Sequence, residues 1–265
     1  TRPTIGAWLN YGLGSENENL PGFVAISHPR SGKLWRSGFL PSKFQGTQFS
    51  PDETAPEKMI RYLKNPAQDK AAQRQQLDLI QQLNGLHLAD RSTDGFLEGR
   101  IRAMETAFRM QFAASEAFDI RKETKSVRGL YGENTFGNSC LLARRLVERG
   151  VRYVQVFSGP GQPWDDHHDI NKNLRGRCPD VDRACAGLIT DLKQRGLLDE
   201  TLIVWSGEFG RTPVSEAGTG RDHNPYGFTA WMAGGGIKGG VAHGATDEFG
   251  FRAVENRVNI HDLHA

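Results

Sequence analysis

Five consecutive residues, Asp165-Asp166-His167-His168-Asp169, set three carboxylates and two imidazoles side by side. Carboxylate oxygen and imidazole nitrogen are the ligand atoms of divalent zinc, manganese or iron. Like charges crowded in solvent repel and serve no packing purpose, so the segment reads as a metal or substrate site. The competing reading is a solvated loop whose aspartates cap the next helix. Asp165 and His167 are the first choice of ligands and His168 is their substitute. Asp222-His223 is a second Asp-His pair, in a glycine-rich loop. Glu208 follows the apolar run Thr201-Leu-Ile-Val-Trp205, where a carboxylate must be solvated, paired or liganded. Arg211 is near enough in sequence to be its ion-pair partner.

Other motifs point away from familiar chemistries. Gly234-Gly-Gly236-Ile-Lys-Gly-Gly240 lacks the spacing of a phosphate-binding loop and reads as a turn that brings the backbone close to its neighbours. Ser206 is not in the G-x-S-x-G context of a nucleophile elbow. His243, His261 and His264 lie downstream; a helix would put the last two on one face. Cys140, Cys178 and Cys185 form no C-x-x-C pair. Cys178 and Cys185 fall on one expected helix, about 10 Å apart and too far to bridge, and all three read as small buried thiols.

These groups must be positioned by the surrounding elements. Residues 1–55 are rich in Gly, Pro, Ser and Asn and read as irregular loops with short pieces of structure. Residues 56–119 read as a helical insertion. Leu77, Ile80 and Leu83, then Ile101, Met104, Phe108 and Phe112, imply two helices divided near Gly85 to Gly95. The pattern predicts a helix over Phe136–Arg149 stopped by Gly150, then a strand over Val151–Phe157. Next come a helix through Val181, Cys185, Leu188 and Leu192, capped by Asp180 and stopped by Gly196, and a strand over Thr201–Trp205 apolar on both faces. Gly227–Ala233 is a possible third strand. Two strands joined by a helical crossover imply one parallel sheet covered on both sides. In such sheets ligands bind beyond the carboxyl ends of the strands, where the three polar clusters fall.

The chain has 265 residues, 24% charged and 37% apolar, so it is neither disordered nor membrane-embedded. Its 33 Lys and Arg against 31 Asp and Glu leave a formal charge of +2, too little to argue for nucleic acid. No apolar run approaches the roughly 20 residues of a membrane helix. The chain opens on Thr1 and closes on His261-Asp-Leu-His-Ala265, and it is expected to be an excerpt of a longer protein.

Several longer motifs carry a resemblance. They are Tyr11-Gly-Leu-Gly-Ser-Glu-Asn17, Asn19-Leu-Pro-Gly-Phe23, Ser37-Gly-Phe-Leu-Pro41 and Leu141-Leu-Ala-Arg-Arg-Leu-Val-Glu-Arg-Gly-Val151, followed by Gly207-Glu-Phe-Gly-Arg-Thr-Pro213, Gly220-Arg-Asp-His223, Ala233-Gly-Gly-Gly236 and Thr246-Asp-Glu248. Together they resemble the bacterial proteins of domain-of-unknown-function family 1501, over essentially the whole chain. That family is similar to the alkaline phosphatase and sulfatase superfamily. The resemblance implies a single α/β domain over 1–265, incomplete at both ends. It would be a three-layer α/β/α sandwich around a mostly parallel sheet, alkaline phosphatase-like, with the irregular region 1–55 and the helical insertion 56–119.

The resemblance also implies hydrolysis of phosphate or sulfate esters, small-molecule or carbohydrate, with divalent metal (zinc, manganese or calcium). Asp165, His167, His168, Glu208, Asp222 and His223 would be metal ligands, and Arg211 and Arg221 would stabilise the anionic substrate. Members of the family start with an export signal and an acidic first strand near the nucleophile, so export is implied and the nucleophile is expected outside this sequence. In the superfamily a late strand ends in Asp-His-Gly. Here it ends in Glu208-Phe209-Gly210, and Phe209 cannot ligate, which weighs against two metals. The alternative is a non-catalytic binding or scaffold protein that kept the fold and lost part of the metal site.

Overall fold

The computed structural model describes residues 2–28, 32–60, 69–90, 99, 101, 104–110, 116–215 and 218–264. The chain divides into two compact units, Thr1–Gly161 and Gln162–Ala265. The class is α/β, with a three-stranded parallel sheet and flanking helices. No described helix is long and apolar enough to cross a membrane.

The first unit is built on β1 (Phe23–Ile26), which pairs in parallel with β2 (Thr47–Phe49) and β3 (Tyr153–Val156), in the order β2-β1-β3. A strand covered on both faces needs an unbroken apolar run, and all four residues of β1 are buried. The region read as irregular therefore holds the middle strand of the sheet. The ring of Phe23 meets Tyr153 edge-on at 5.1 Å. Gly6 and Gly46 lie against that ring, where any Cβ would collide with it. Near α1 (Ile5–Leu13), the Asn17 carboxamide oxygen accepts from the backbone N–H groups of Asn19 and Leu20, so the Ser15–Leu20 motif is a side-chain-capped turn.

Helices α2 (Pro56–Met59), α3 (Lys70–Asp90) and α4 (104–110) follow. Helix α3 continues through Gly85, where a division was expected to begin, and exposes Leu79, Leu83 and Leu86. Gly95 and Phe112 lie outside the described residues. After α5 (Lys125–Tyr131) comes α6 (Thr135–Val147), whose first turn is capped by the Asn134 side chain accepting from Gly137 N. Gly150 ends this stretch at φ +81°, as the sequence predicts.

Helix α6 buries two cations. The Glu123 carboxylate pairs with Arg144 at 2.9 Å and also with Arg145, and Glu148 pairs with Arg144 at 2.7 Å. Burial pushes the Glu123 carboxyl up, but the bonds from Arg144 and Arg145 outweigh it and hold the group below the ordinary carboxylate range. Replacing Glu123 by Gln would leave buried guanidinium charge uncompensated, and urea unfolding is expected to show a loss of about 3 kcal/mol.

In the second unit α7 (Ile170–Gln194) begins after Asp169, ten residues before the expected cap Asp180, and runs through Pro179. Its start is held from outside: Ile170 N donates to the Thr219 carbonyl at 3.0 Å. Gly196 terminates it at φ +70°. Cys178 is exposed and Cys185 half-buried, so among the thiols only Cys140 is buried as expected.

Strand β4 (Ile203–Ser206) pairs antiparallel with β7 (Ala230–Ala233), and Trp205 stacks on the opposite Trp231 at 6.2 Å. The strands after α6 and α7 thus belong to different sheets, not to the single parallel sheet the crossover implied. Val204 and Trp205 are exposed rather than buried on both faces. The glycine run makes the expected close turn: Gly234, Gly235 and Gly236 have positive φ, and a Cβ on Gly234 would meet the Thr201 and Leu198 carbonyls. Two short ladders follow, β5 (Gly210–Arg211) with β6 (His223–Asn224) and β8 (Ala245–Thr246) with β9 (Ala253–Glu255), before α8 (Ile260–His264). Asp247 accepts from the backbone N–H groups of Phe249, Phe251 and Arg252, which makes the Thr246-Asp-Glu248 motif a loop anchor.

Candidate metal centre

Two segments of the second unit form the site, and each is tied down by a residue beside the reactive groups. In the first, Asp166 is buried: its carboxylate accepts from Asn173 Nδ2 and Arg177 Nη1 of α7, each at 2.7 Å. The residue between Asp165 and His167 thus fixes the loop to the helix, leaving its two neighbours to point elsewhere. In the second, the β5–β6 register sets Arg211 opposite His223. The ladder is extended by Thr212 N donating to the Asp222 carbonyl at 3.0 Å and Asp222 N donating to Thr212 Oγ1 at 3.1 Å.

The segments are joined by a glycine. A Cβ on Gly220 would overlap the backbone of His167 and His168, so only glycine lets this turn lie on that peptide. Arg221 N completes the join by donating to the Asp166 carbonyl at 2.9 Å.

The result is a convergence on one oxygen. Asp165 Oδ1 accepts from Arg211 Nη1 at 2.6 Å and lies 2.9 Å from His223 Nε2 and 3.2 Å from His167 Nε2. Asp165, His167 and His223 each offer a ligand atom, and these atoms all lie within 4.8 Å of one another. The other nitrogen of His167, Nδ1, lies 3.4 Å from Asp222 Oδ1. The Phe209 ring packs on that of His223 at 4.4 Å, with the Arg211 guanidinium 5.6 Å from the Phe209 ring.

The remaining sequence-derived residues are placed as follows. Glu208 and His168 are exposed and outside this group, and Arg211 pairs with Asp165 instead of Glu208. Arg221 turns its guanidinium to the Gly220 carbonyl at 2.7 Å. His243 and His261 are exposed. Sequence reasoning named Asp166 and Gly220 within their motifs but not their anchoring roles, and it missed the α7 pair Asn173 and Arg177. The pair's four-residue spacing on one helix face was the available signal.

Hydrogen bonds from His223 and Arg211 hold the Asp165 carboxyl far below the usual range, at about 2, against a smaller opposing effect of burial. Because the folded value is depressed, the stabilisation is complete above the unfolded carboxylate range and is lost as pH falls through about 2. A carbon-13 titration of Asp165 is expected to show that low midpoint, and Arg211→Ala to raise it. Gly220→Ala should force the turn off the His167 peptide, destabilise the fold by about 1–3 kcal/mol in chemical denaturation, and return the Asp165 midpoint towards the ordinary range.

The chain matches the family described as "Protein of unknown function (DUF1501)" over residues 1–265, and it belongs to that family. No curated protein and no solved structure matches it.

Proposed function

We propose that this chain carries the metal centre of a hydrolase acting on phosphate or sulfate esters, with one divalent cation held by Asp165, His167 and His223. The observation that carries this reading is the pair of imidazole nitrogens at 2.9 and 3.2 Å from a single carboxylate oxygen. Ligand atoms bonded at about 2.0–2.2 Å to a common zinc lie roughly 3–4 Å apart; the two separations lie at the short end of that range, and all three ligand atoms are within 4.8 Å of one another. A nitrogen, nitrogen and oxygen donor set suits zinc or manganese. The resemblance to the alkaline phosphatase and sulfatase superfamily supports both the ester chemistry and a larger three-layer sandwich.

A bound cation would polarise the ester oxygen and lower the pKa of an attacking group. The chain's own residues do the rest. Arg211 holds the Asp165 carboxylate in place. Arg221, at the start of the His223 turn, is the arginine left for the anionic substrate. Phe209 packs at a tilt against the His223 ring with a side chain that cannot ligate, and Glu208 is exposed, which favours one cation over two. Phe209 equally favours the second reading, a binding or scaffold protein with a reduced metal site. Export is a further expectation of the resemblance.

Elemental analysis of protein purified without chelator is expected to find one divalent metal per chain. His167→Ala should abolish binding and any turnover of p-nitrophenyl phosphate or sulfate while leaving the metal-free Tm within about 2 °C. A metal-free wild type would overturn the proposal; metal without turnover would select the scaffold reading.

A further inference from the structure

We infer that Asp222 is a positioning residue of this centre, not one of its ligands: its carboxylate fixes the tautomer and orientation of His167. The inference rests on the metal-site reading above. The imidazole of His167 lies between two carboxylates, with Nε2 3.2 Å from Asp165 Oδ1 and Nδ1 3.4 Å from Asp222 Oδ1. The two ring nitrogens point to opposite edges of the ring, so Asp222 sits across the imidazole from the point shared by Asp165 and His223. A carboxylate can only accept a hydrogen bond. With a cation at the shared point, Nε2 is the coordinating atom and Asp165 is engaged there, so Asp222 is the acceptor that faces a proton on Nδ1. Ligating histidines are commonly oriented in this way by a carboxylate on the second nitrogen.

The placement of Asp222 is itself constrained. Its N–H donates to Thr212 Oγ1 and its carbonyl accepts from Thr212 N, so the residue is pinned at the end of the β5–β6 ladder. Gly220, two residues earlier, lets the same turn lie against the His167 peptide. One short turn thus delivers both a ligand, His223, and the carboxylate that aims another ligand, His167.

The test compares wild type, Asp222→Asn and His167→Ala, using zinc competition against a chromophoric chelator, the visible absorption of the cobalt-substituted protein and nitrogen-15 shifts of His167 in the zinc-loaded protein. Asp222→Asn is expected to weaken zinc binding about 10–100-fold, to keep one metal per chain and the cobalt band positions, and to shift the Nδ1 resonance of zinc-bound His167. Unchanged zinc affinity, or cobalt bands altered as by loss of a ligand, would overturn the inference. Failure of wild type to bind zinc would overturn the metal reading and this inference with it, whereas unchanged zinc affinity in Asp222→Asn overturns the inference alone. An unchanged metal-free Tm for Asp222→Asn excludes simple misfolding as the cause of weakened binding.

Discussion

The second unit depends on one electrostatic constraint: the Asp165 carboxylate must meet Arg211 and His223, which lie 46 and 58 residues further along the chain. Closing loops of that length has an entropic cost, and an exposed ion pair contributes too little to offset it. The closure is therefore carried by groups without chemistry of their own. Asp166 is locked onto α7, Gly220 lies flat on the His167 peptide, and Thr212 and Asp222 exchange backbone and hydroxyl bonds. The reactive groups are brought together by their neighbours, and that division of labour accounts for alternating anchoring and ligand-type residues in Asp165-Asp166-His167.

The first unit meets a related demand differently. Its sheet is short, and its middle strand has only four residues, so the apolar core around Phe23 is supplemented by buried charge. Arg144 and Arg145 in one helix are held by Glu123 and Glu148 from either side. Such pairs contribute little by their presence and a great deal by their loss, since one removed partner strands a charge in a medium that cannot solvate it. The long Leu141–Val151 motif is thus a packing motif: leucines for the core, arginines for the ionic lattice, glycine for the exit.

Phe209 gives the centre its individuality. Its ring packs at a tilt against that of His223 and adds neither charge nor a ligand atom. Under the proposed reading, activation falls to one cation, with arginine taking up charge on the substrate. Since fold class by itself decides no chemistry, the functional argument rests on these few side chains and on the family to which the chain belongs.

Much of this was legible in the residues. Ligand-type residues crowded in Asp165–Asp169 and Asp222-His223 mark the two segments from which the structure brings Asp165, His167 and His223 together. The stops at Gly150 and Gly196 and the close turn at Gly234–Gly236 follow from glycine's freedom at positive φ. What the sequence could not decide was pairing. The apolar run Thr201–Trp205 is compatible with a buried parallel strand or with an antiparallel partner, and only three-dimensional register sets Trp205 against Trp231. The four residues of β1 are too few to show a period. The placement of each carboxylate is likewise invisible in composition: Asp165, Asp166 and Asp222 are chemically identical, and their surroundings differ only because the tertiary structure faces one to two imidazoles, one to a helix and one to the far edge of a histidine ring.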